Sequence, residues 1–374
     1  MSHVNKYRSI TTIASVVQAL TVLVGVSVHP KARGDEPSVT ESVELVPRHF
    51  LGMVHAPEVH QELKLSAAQV ESLEALFRQV DPAWFQSRNF PIAERNAIVG
   101  KTEDAVRKWF SDKTSQAQQK RLFQLECYSQ GVRMLLREDI SRQVGLDAQQ
   151  RDKLTELARE CERLGSERQS RGQADRSTDE IDAKLQAAVK AEQEGYKTIL
   201  KPQQLQKLSE IIGKPFDTTK LVRTYPMAPE FVPVTNWINS SPLELSALRG
   251  KVVLIHFYAF QCHNCHANFE HYRRWWRDWK GKGVAVVGIQ TPETPRERDP
   301  AAVKTAAVEN QLEFPILVDL EMRNWKTWGN TMWPTVYVID KNGYVRYWWQ
   351  GELNWKGATG DKTIEDLVEQ LLAE

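Results

Sequence analysis

The sequence predicts two structured parts of different fold class behind an apolar leader, with an α-helical part over residues 35–215 and an α/β part over residues 216–374. Residues 35–215 are rich in strong helix formers, and a spacing of leucine and glutamine recurs along them. Residues 216–374 instead alternate short apolar runs with helical patterns. Such alternation is typical of a sheet with helices on its faces. We therefore expect a helical bundle or helical hairpins, followed by a central mixed sheet flanked by helices.

The composition is that of a globular protein with no dominant charge. The chain has 374 residues, enough for two domains of ordinary size, and 41% of them are hydrophobic while 26% are charged. Its 49 lysine and arginine residues nearly balance 48 aspartate and glutamate residues, so no net field favours nucleic acid or an anionic membrane. Four cysteines are too few for a scaffold built on disulfides, so each can be interpreted individually.

Residues 1–34 have the pattern of an export signal. Lys6 and Arg8 form a basic start, residues 10–28 are largely apolar, and small residues precede a cleavage point after Gly34. The alternative is an uncleaved membrane anchor, because the apolar run approaches the roughly 20 residues that cross a bilayer. Both interpretations place the remaining chain outside the cytoplasm, in an oxidising compartment such as a periplasm or cell envelope.

The helical part contains a repeated pattern of leucine, glutamine four residues on, leucine eight on, and leucine or isoleucine eleven on. Copies begin at Leu65, Leu146 and Leu200, and a weaker copy begins at Thr114. These spacings keep the side chains on one helical face. Ser66, Ser115 and Asp147 stand where an N-cap would, so each of those copies predicts a helix start. Four starts favour two antiparallel hairpins or one bundle.

Two interpretations of the repeat stay open. It can be a packing signal alone, as in most amphipathic helices. The copies also resemble the helical envelope proteins of the Spy/CpxP type, and that resemblance implies a surface that holds a partner. The polar residues 166–182 predict a solvated loop between helices.

Cys127 and Cys161 lie within the helical part. If one helix ends near Val144 and turns at Gly145 into the helix that opens at Leu146, the two cysteines lie at similar distances from the turn. They would then face each other, as a structural disulfide requires. The alternative is a pair of buried free thiols.

The C-terminal part reads as a regular succession of strands and helices. Strands are predicted over 251–258, 284–290, 314–318, 335–340 and 344–349, and helices over 262–279, 301–311 and 363–372. Lys341, Asn342 and Gly343 form a hairpin turn signal between the last two strands. The resulting β-α-β-α-β-β-α order is that of thioredoxin.

A Cys-X-X-Cys pair, Cys262 and Cys265, stands at the first strand-to-helix junction. The first cysteine would lie at the helix N-terminus, where free N–H groups and the helix dipole favour a thiolate. Cys265, one turn on, could attack a mixed disulfide at Cys262 and release the product. His263 between them could add positive charge and so tune the nucleophile. This constellation predicts a redox-active disulfide.

Two other chemistries use the same residue types. Zinc would need a second Cys or Cys/His pair, and this part of the sequence contains none. Cys262, Cys265 and His266 also spell the c-type haem attachment motif. Its position after a buried strand is unlike the small helical domains that usually carry haem, so we expect no cofactor and no metal ion. Haem binding remains the third alternative.

Pro334 precedes a predicted strand, where thioredoxin folds place a cis-proline opposite the cysteine pair. A cis bond is plausible there because only X–Pro tolerates it at low cost; the alternative is a trans proline that starts an edge strand. We expect the backbone before Pro334 to pair with substrate. Met332, Trp333 and Trp328 would give an apolar docking surface.

Residues 228–355, about a third of the chain, resemble the thioredoxin-like domain of the TlpA/DipZ group within the wider redoxin (AhpC/TSA-like) superfamily. The matching stretches are APEF at 228–231, WINS at 237–240, LRGKVVL at 248–254, the cysteine pair, GIQTPE at 288–293, NTMWP at 330–334 and GE at 351–352. The resemblance implies a secreted or membrane-anchored thiol–disulfide oxidoreductase of the cell envelope. Its partners would be protein thiols or disulfides and a redox protein that recycles the pair.

The sequence departs from that family at several positions. Relatives usually carry a buried acid six residues before the first cysteine, where this chain has His256. A histidine could relay the proton of Cys265, or it could merely be packed. Glu270 replaces a common helix proline, and Ala259 replaces the Thr or Ser of thiol peroxidases, which disfavours that activity.

The sequence thus favours an extracytoplasmic thiol–disulfide oxidoreductase. The alternative from another class is a binding or scaffold protein in which the helices hold a partner and the C-terminal domain is structural.

Overall fold

A computed structural model describes residues 44–173 and 177–374, which divide into two compact units. The first unit contains the described residues up to Leu65 together with Phe110–Thr224; the second contains Ser66–Trp109 and Tyr225–Glu374. The sequence predicts a boundary after residue 215, whereas the second unit also takes in the helical segment 66–109. The predicted leader, residues 1–34, lies outside the described residues. None of the described helices is long and apolar enough to span a bilayer.

The described residues form thirteen α-helices and six strands. The helices are α1 Phe50–His55, α2 Pro57–Glu62, α3 Ala67–Ser87, α4 Ile92–Lys113, α5 Gln116–Gln130, α6 Glu138–Val144, α7 Ala148–Gln173, α8 Asp179–Ile199, α9 Pro202–Ile212, α10 His263–Trp279, α11 Pro300–Glu309, α12 Arg323–Thr327 and α13 Gly360–Ala373. The strands are β1 Trp237–Ile238, β2 Val252–Tyr258, β3 Val284–Gln290, β4 Ile316–Val318, β5 Thr335–Ile339 and β6 Val345–Gln350.

The leucine–glutamine repeat is a helix-start signal in the structure. At Ser66 and Ser115 the hydroxyl accepts the glutamine N–H three residues on, and the glutamine side chain accepts the cap N–H in return. Asp147 forms the same reciprocal pair with Gln150. These contacts satisfy N–H groups that a helix start leaves without partners. The predicted caps are therefore confirmed.

Two glutamines of the repeat also bind each other in the first unit. Gln204 accepts the Lys201 N–H at 2.8 Å and donates to Gln150 Oε1 at 2.9 Å, while Gln150 donates back to Gln204 Oε1 at 2.8 Å. Gln204 also donates to the carbonyl of Gly145. This amide pair joins the starts of α7 and α9, and both of its members are buried.

The helix that the cysteine-bridge prediction requires is interrupted. Helix α5 ends at Gln130, and a 3₁₀ turn over Gly131–Leu136 separates it from the short α6. The prediction assumed that Cys127 and Cys161 lie on two continuous helices at similar distances from the turn between them, and the interruption removes that premise. Both cysteines are buried free thiols in the structure. The polar loop is also shorter than predicted, because α7 continues to Gln173 and α8 begins at Asp179.

The second unit contains a six-stranded sheet in the order β1-β4-β3-β2-β5-β6. Strand β2 runs parallel to β3 and antiparallel to β5, and all seven of its residues are buried, as a central strand requires. Strands β5 and β6 pair antiparallel across Gly343, whose φ of +86° lies in the left-handed region that the predicted tight turn needs. The predicted thioredoxin-like fold is thereby confirmed, and the short β1 and α12 were not predicted.

Alternate side chains of β2 face two different layers. Leu254 and Tyr258 pack in a core with α10, α11 and α13, whereas Val253, Ile255 and Phe257 pack in a second core on the other face. The second core includes Phe85 of α3, which is 3% exposed. A helix far upstream in sequence therefore covers part of the sheet.

Candidate functional site

The cysteine pair lies where β2 passes into α10. Cys262 is the N-cap of α10, and its Sγ accepts the backbone N–H of Cys265 at 3.3 Å. Cys262 is 8% exposed, while Cys265 is fully buried. Cys262 therefore has the helix-terminal position that the sequence predicts, and it is the more exposed of the two thiols.

The two thiols have opposite pKa shifts. A hydrogen bond from the Cys265 thiol, aided by the Cys265 N–H, holds the pKa of Cys262 below its ordinary value, although burial and the carboxylates of Glu293 and Glu297 oppose this. Burial raises the pKa of Cys265, and its hydrogen bond to Cys262 raises it further. Cys262 is thus the group that ionises first, as a nucleophile must.

A buried carboxylate fixes the residue before Cys262. Glu297 is fully buried and accepts three backbone N–H groups: from Gln261 at 2.6 Å, from Glu293 at 2.7 Å and from Thr294 at 2.8 Å. The Thr294 hydroxyl donates to the Gln261 side chain as well. The loop after β3 is thereby tied to the start of α10. Sequence reasoning missed Glu297: its contacts with Glu293 and Thr294 are local, but its contact with Gln261 joins two loops that are 36 residues apart.

The surroundings do not favour haem or zinc at the pair. The ring Nε2 of His266 lies 2.7 Å from the Phe260 carbonyl oxygen, which occupies the atom that would ligate haem iron. Cys265 is enclosed in the core and so cannot reach a porphyrin edge. Among the residues that the structure describes, no group of three or more His, Cys, Asp or Glu could hold a metal ion.

Trp333 and Pro334 stand immediately before β5. The Trp333–Pro334 bond is cis, and the Trp333 ring packs against the core that contains both cysteines. The indole N–H donates to Thr291 Oγ1 at 2.7 Å, and the ring stacks on Trp325 with centroids 4.0 Å apart. Trp333 is only partly buried, and so is Met332.

Trp328 does not belong to a docking surface. Its side chain is fully buried in the second core, where it contacts Phe85, Phe257 and Tyr337. The prediction that it contacts substrate is therefore wrong, because spacing near the cis-proline does not reveal which side of the loop a tryptophan faces. Exposed His263 adjoins Cys262 in sequence, where a tuning role stays a prediction.

His256 lies on β2 in an aromatic enclosure. Its ring stacks on Tyr272 with centroids 3.9 Å apart and meets Phe314 edge-on, and neither ring nitrogen has a hydrogen-bond partner among the residues that the structure describes. Burial lowers the pKa of His256 to about 3. Gly288 stands opposite on β3, where a Cβ would lie 3.1 Å from His256 Nε2. Of the two predicted roles, this environment favours packing over proton transfer.

Comparison with known proteins places the site among related sequences. Residues 227–348 match the AhpC/TSA family. Protein DipZ of Mycobacterium tuberculosis is 38% identical over 149 residues, which are 39% of this chain and 20% of DipZ. Thiol-disulfide oxidoreductase ResA of Bacillus thuringiensis is 31% identical over 144 residues, 38% of this chain and 74% of ResA. Thiol-disulfide oxidoreductase YkuV of Bacillus subtilis is 29% identical over 146 residues, 39% of this chain and 94% of YkuV.

The match spans about a fifth of DipZ but most of ResA and YkuV. The family match begins at residue 227, so the resemblance of the helical repeat to the Spy/CpxP type stays a prediction. The sheet order and the position of the cysteine pair at the N-terminus of α10 point to the same group of proteins as these relatives do. The chain belongs, through its C-terminal region, to the AhpC/TSA redoxins and, among them, to the thioredoxin-like thiol–disulfide oxidoreductases.

Proposed function

We propose that the protein exchanges disulfides with protein substrates outside the cytoplasm, with Cys262 as the nucleophile and Cys265 as the resolving thiol. The observation that carries this proposal is the asymmetry of the pair. Cys262 is reachable at the end of a helix and has a lowered pKa, whereas Cys265 is buried beneath it with a raised pKa. One thiol is thus suited to attack, and the other to act only after the first has reacted.

The exchange proceeds in two balanced steps. The Cys262 thiolate attacks a substrate disulfide, forming a mixed disulfide and releasing one substrate thiolate, which takes up a proton. Cys265 then loses its proton and attacks Sγ of Cys262, which releases the second substrate thiol and leaves a Cys262–Cys265 disulfide. A membrane or soluble redox partner returns the pair to its starting state. The same steps in reverse oxidise a substrate dithiol.

Trp333 and Met332 support a substrate surface beside Cys262. Both are partly exposed, and Trp333 is held by Thr291 and Trp325. The backbone before Pro334 would pair with an extended substrate segment. The export-type residues 1–34 support the extracytoplasmic location.

A trapping experiment tests this function. The Cys265→Ser variant, expressed with its leader, should accumulate proteins cross-linked through Cys262 in the envelope fraction, and reducing agent should release them. The Cys262→Ser variant is the matched control and should trap none. If neither variant traps protein and the wild-type pair resists reduction, the scaffold alternative holds instead.

A further inference from the structure

The C-terminal end of α3 and the turn after it bind the loop that leads to Trp333. We call residues 86–91 the α3–α4 turn and residues 326–334 the substrate loop. Three side chains of the turn donate to three backbone carbonyls of the loop: Gln86 Nε2 to Lys326 O at 2.7 Å, Arg88 Nη2 to Trp328 O at 2.7 Å, and Asn89 Nδ2 to Gly329 O at 2.6 Å. Lys326 lies in the last turn of α12, and Trp328 and Gly329 follow that helix, whose end leaves carbonyls free to accept side-chain donors.

Arg88 makes the most extensive of these contacts. Its guanidinium also donates to Phe85 O at 2.7 Å and to the Tyr337 hydroxyl at 2.6 Å, and it lies 3.8 Å over the Phe85 ring. The Tyr337 hydroxyl in turn donates to Asn330 Oδ1 at 2.6 Å. A continuous chain of hydrogen bonds therefore runs from α3 through β5 to the middle of the substrate loop.

In the described part of the chain, the positive charge of Arg88 has no carboxylate partner. No Asp or Glu within residues 44–173 and 177–374 forms an ion pair with it, and burial lowers its pKa. An unpaired buried cation is costly unless its hydrogen bonds are satisfied. Two carbonyls and a hydroxyl accept from Nη1 and Nη2, and the Phe85 ring lies under the guanidinium, while Nε has no partner among the described residues. These contacts hold the guanidinium in one geometry.

The turn approaches the loop so closely at Gly329 that a side chain there would crowd it. This glycine has a φ of +58°, and a Cβ there would lie 3.1 Å from the Gln86 carbonyl oxygen and 3.2 Å from Arg88 Nη1. Two features of the loop, its left-handed residue and its missing side chain, thus match the turn that binds it.

We propose that Arg88 is a positioning residue that sets the substrate loop, and with it Trp333, for docking of polypeptide substrates. This inference rests on the proposed disulfide exchange. Arg88 acts through the loop and touches neither cysteine. A substrate that needs the loop should therefore depend on Arg88, and a small disulfide that reaches Cys262 directly should not.

Two disulfides of different size test this. Reduction of insulin, with dithiothreitol present to reduce the Cys262–Cys265 disulfide after each turnover, gives kcat and KM for a polypeptide disulfide. The second-order reaction of the reduced protein with 5,5′-dithiobis(2-nitrobenzoate) reports Cys262 alone. Arg88→Met keeps an apolar stem and removes the donors. We expect its KM for insulin to rise about fivefold or more, as loss of one or more hydrogen bonds implies, while kcat and the small-disulfide rate stay within about twofold. The insulin KM of Arg88→Lys should lie between those of the wild type and Arg88→Met, because an ammonium group keeps the charge but cannot reproduce the planar guanidinium.

Arg78→Met is the matched control, because Arg78 is an exposed arginine of α3, the helix that ends just before Arg88. It should match the wild type for both disulfides. If Arg88→Met does not fold, Asn89→Ala removes one bond to the same loop, and its insulin KM should rise about twofold to threefold. Unchanged KM in a folded variant, or an equal loss for both disulfides, overturns the inference while the proposed function stands. A wild-type protein that reacts with neither disulfide overturns both.

Discussion

At the scale of single residues, two thiols one helical turn apart have pKa values that are shifted in opposite directions. The Cys265 thiol donates to Cys262 and lowers its pKa, and burial raises the pKa of Cys265. Because the thiolate is the reactive species, the two should respond differently to pH. The difference follows from position alone, since both residues share one motif.

We expect iodoacetamide to label Cys262 quickly near neutral pH and to leave Cys265 almost unlabelled. A lowered pKa means that the rate at Cys262 reaches its plateau at a lower pH than for an ordinary thiol. Cys265→Ala removes the donor and should shift that midpoint upward. Peptide mass spectrometry after timed labelling between pH 5 and 9 measures both rates, and equal slow labelling of the two thiols would contradict the prediction.

His256 should make the protein less stable in acid. Its pKa is lowered from 6.5 to about 3 in the folded state, so over that interval the unfolded chain binds a proton that the folded chain does not. Stability is therefore complete above about pH 6.5 and declines as pH falls, by at most about 1.4 kcal/mol per pH unit. His256→Phe keeps a ring against Tyr272 and should flatten this decline in urea unfolding between pH 7 and 4.

The same variant separates the two roles of His256. If the residue is only packed, His256→Phe should release the mixed disulfide at the wild-type rate. Accumulation of cross-linked substrate would instead favour proton transfer to Cys265. His263→Asn, at an exposed position in the next element, serves as the control for acid stability and should leave the pH dependence unchanged.

At the scale of elements, the starts of α7 and α9 depend on one amide pair. Gln204 satisfies the Lys201 N–H, the Gly145 carbonyl and the Gln150 side chain. We expect Gln204→Ala to lower the free energy of unfolding of the first unit by about 1–3 kcal/mol, because buried partners lose their bonds. Gln203→Ala, at the exposed neighbouring position, should change it by less than about 0.5 kcal/mol. Urea unfolding followed by helical circular dichroism compares the two, and similar losses would show that the pair is dispensable.

The elements were largely predictable where local pattern decides them. Strands β2 and β3 and helix α10 follow from apolar runs and from the cysteine motif, and the caps at Ser66 and Ser115 follow from side-chain chemistry. The break after Gln130 also carries a local signal that the sequence analysis did not use: Gly131 caps α5 with a φ of +58°. The 3₁₀ turn that follows, Gly131–Leu136, continues an apolar pattern and was not predicted.

Some residues of the candidate site could be predicted from local sequence and others could not. Cys262, Cys265 and the cis bond before Pro334 could be placed from sequence, because motif and strand order fix them. Glu297 and Arg88 could not, because each acts on backbone groups of a segment distant in sequence. No local spacing signals such a contact.

At the scale of the molecule, the second unit, which contains the cysteine pair, is built from two separate stretches of chain. Phe85 packs with Trp328 and Tyr337 on the face of the sheet opposite the cysteine helix. A fragment that begins at residue 216 therefore lacks part of its second core.

We expect the fragment 216–374 to be less stable than the same region in the whole chain, and to bind a hydrophobic dye. In the whole chain, Phe85→Ala should cost about 3–5 kcal/mol, the usual loss for a buried phenylalanine. Chemical denaturation monitored by tryptophan fluorescence measures both. A fragment with the full stability of its region would show that residues 66–109 are not needed for the fold.

The passage of the chain between its two units also sets an order on biosynthesis. The α3–α4 turn emerges from the ribosome long before its partners, since Arg88 and Trp328 are 240 residues apart. At ordinary elongation rates that interval is roughly 10 to 50 s. Until then, Phe85 has no sheet to pack against, and the substrate loop has not yet been synthesised. The second unit can therefore complete its fold only when translation is nearly finished. A nascent chain stalled before β5 should expose the apolar side chains of α3 around Phe85, which a chaperone can recognise.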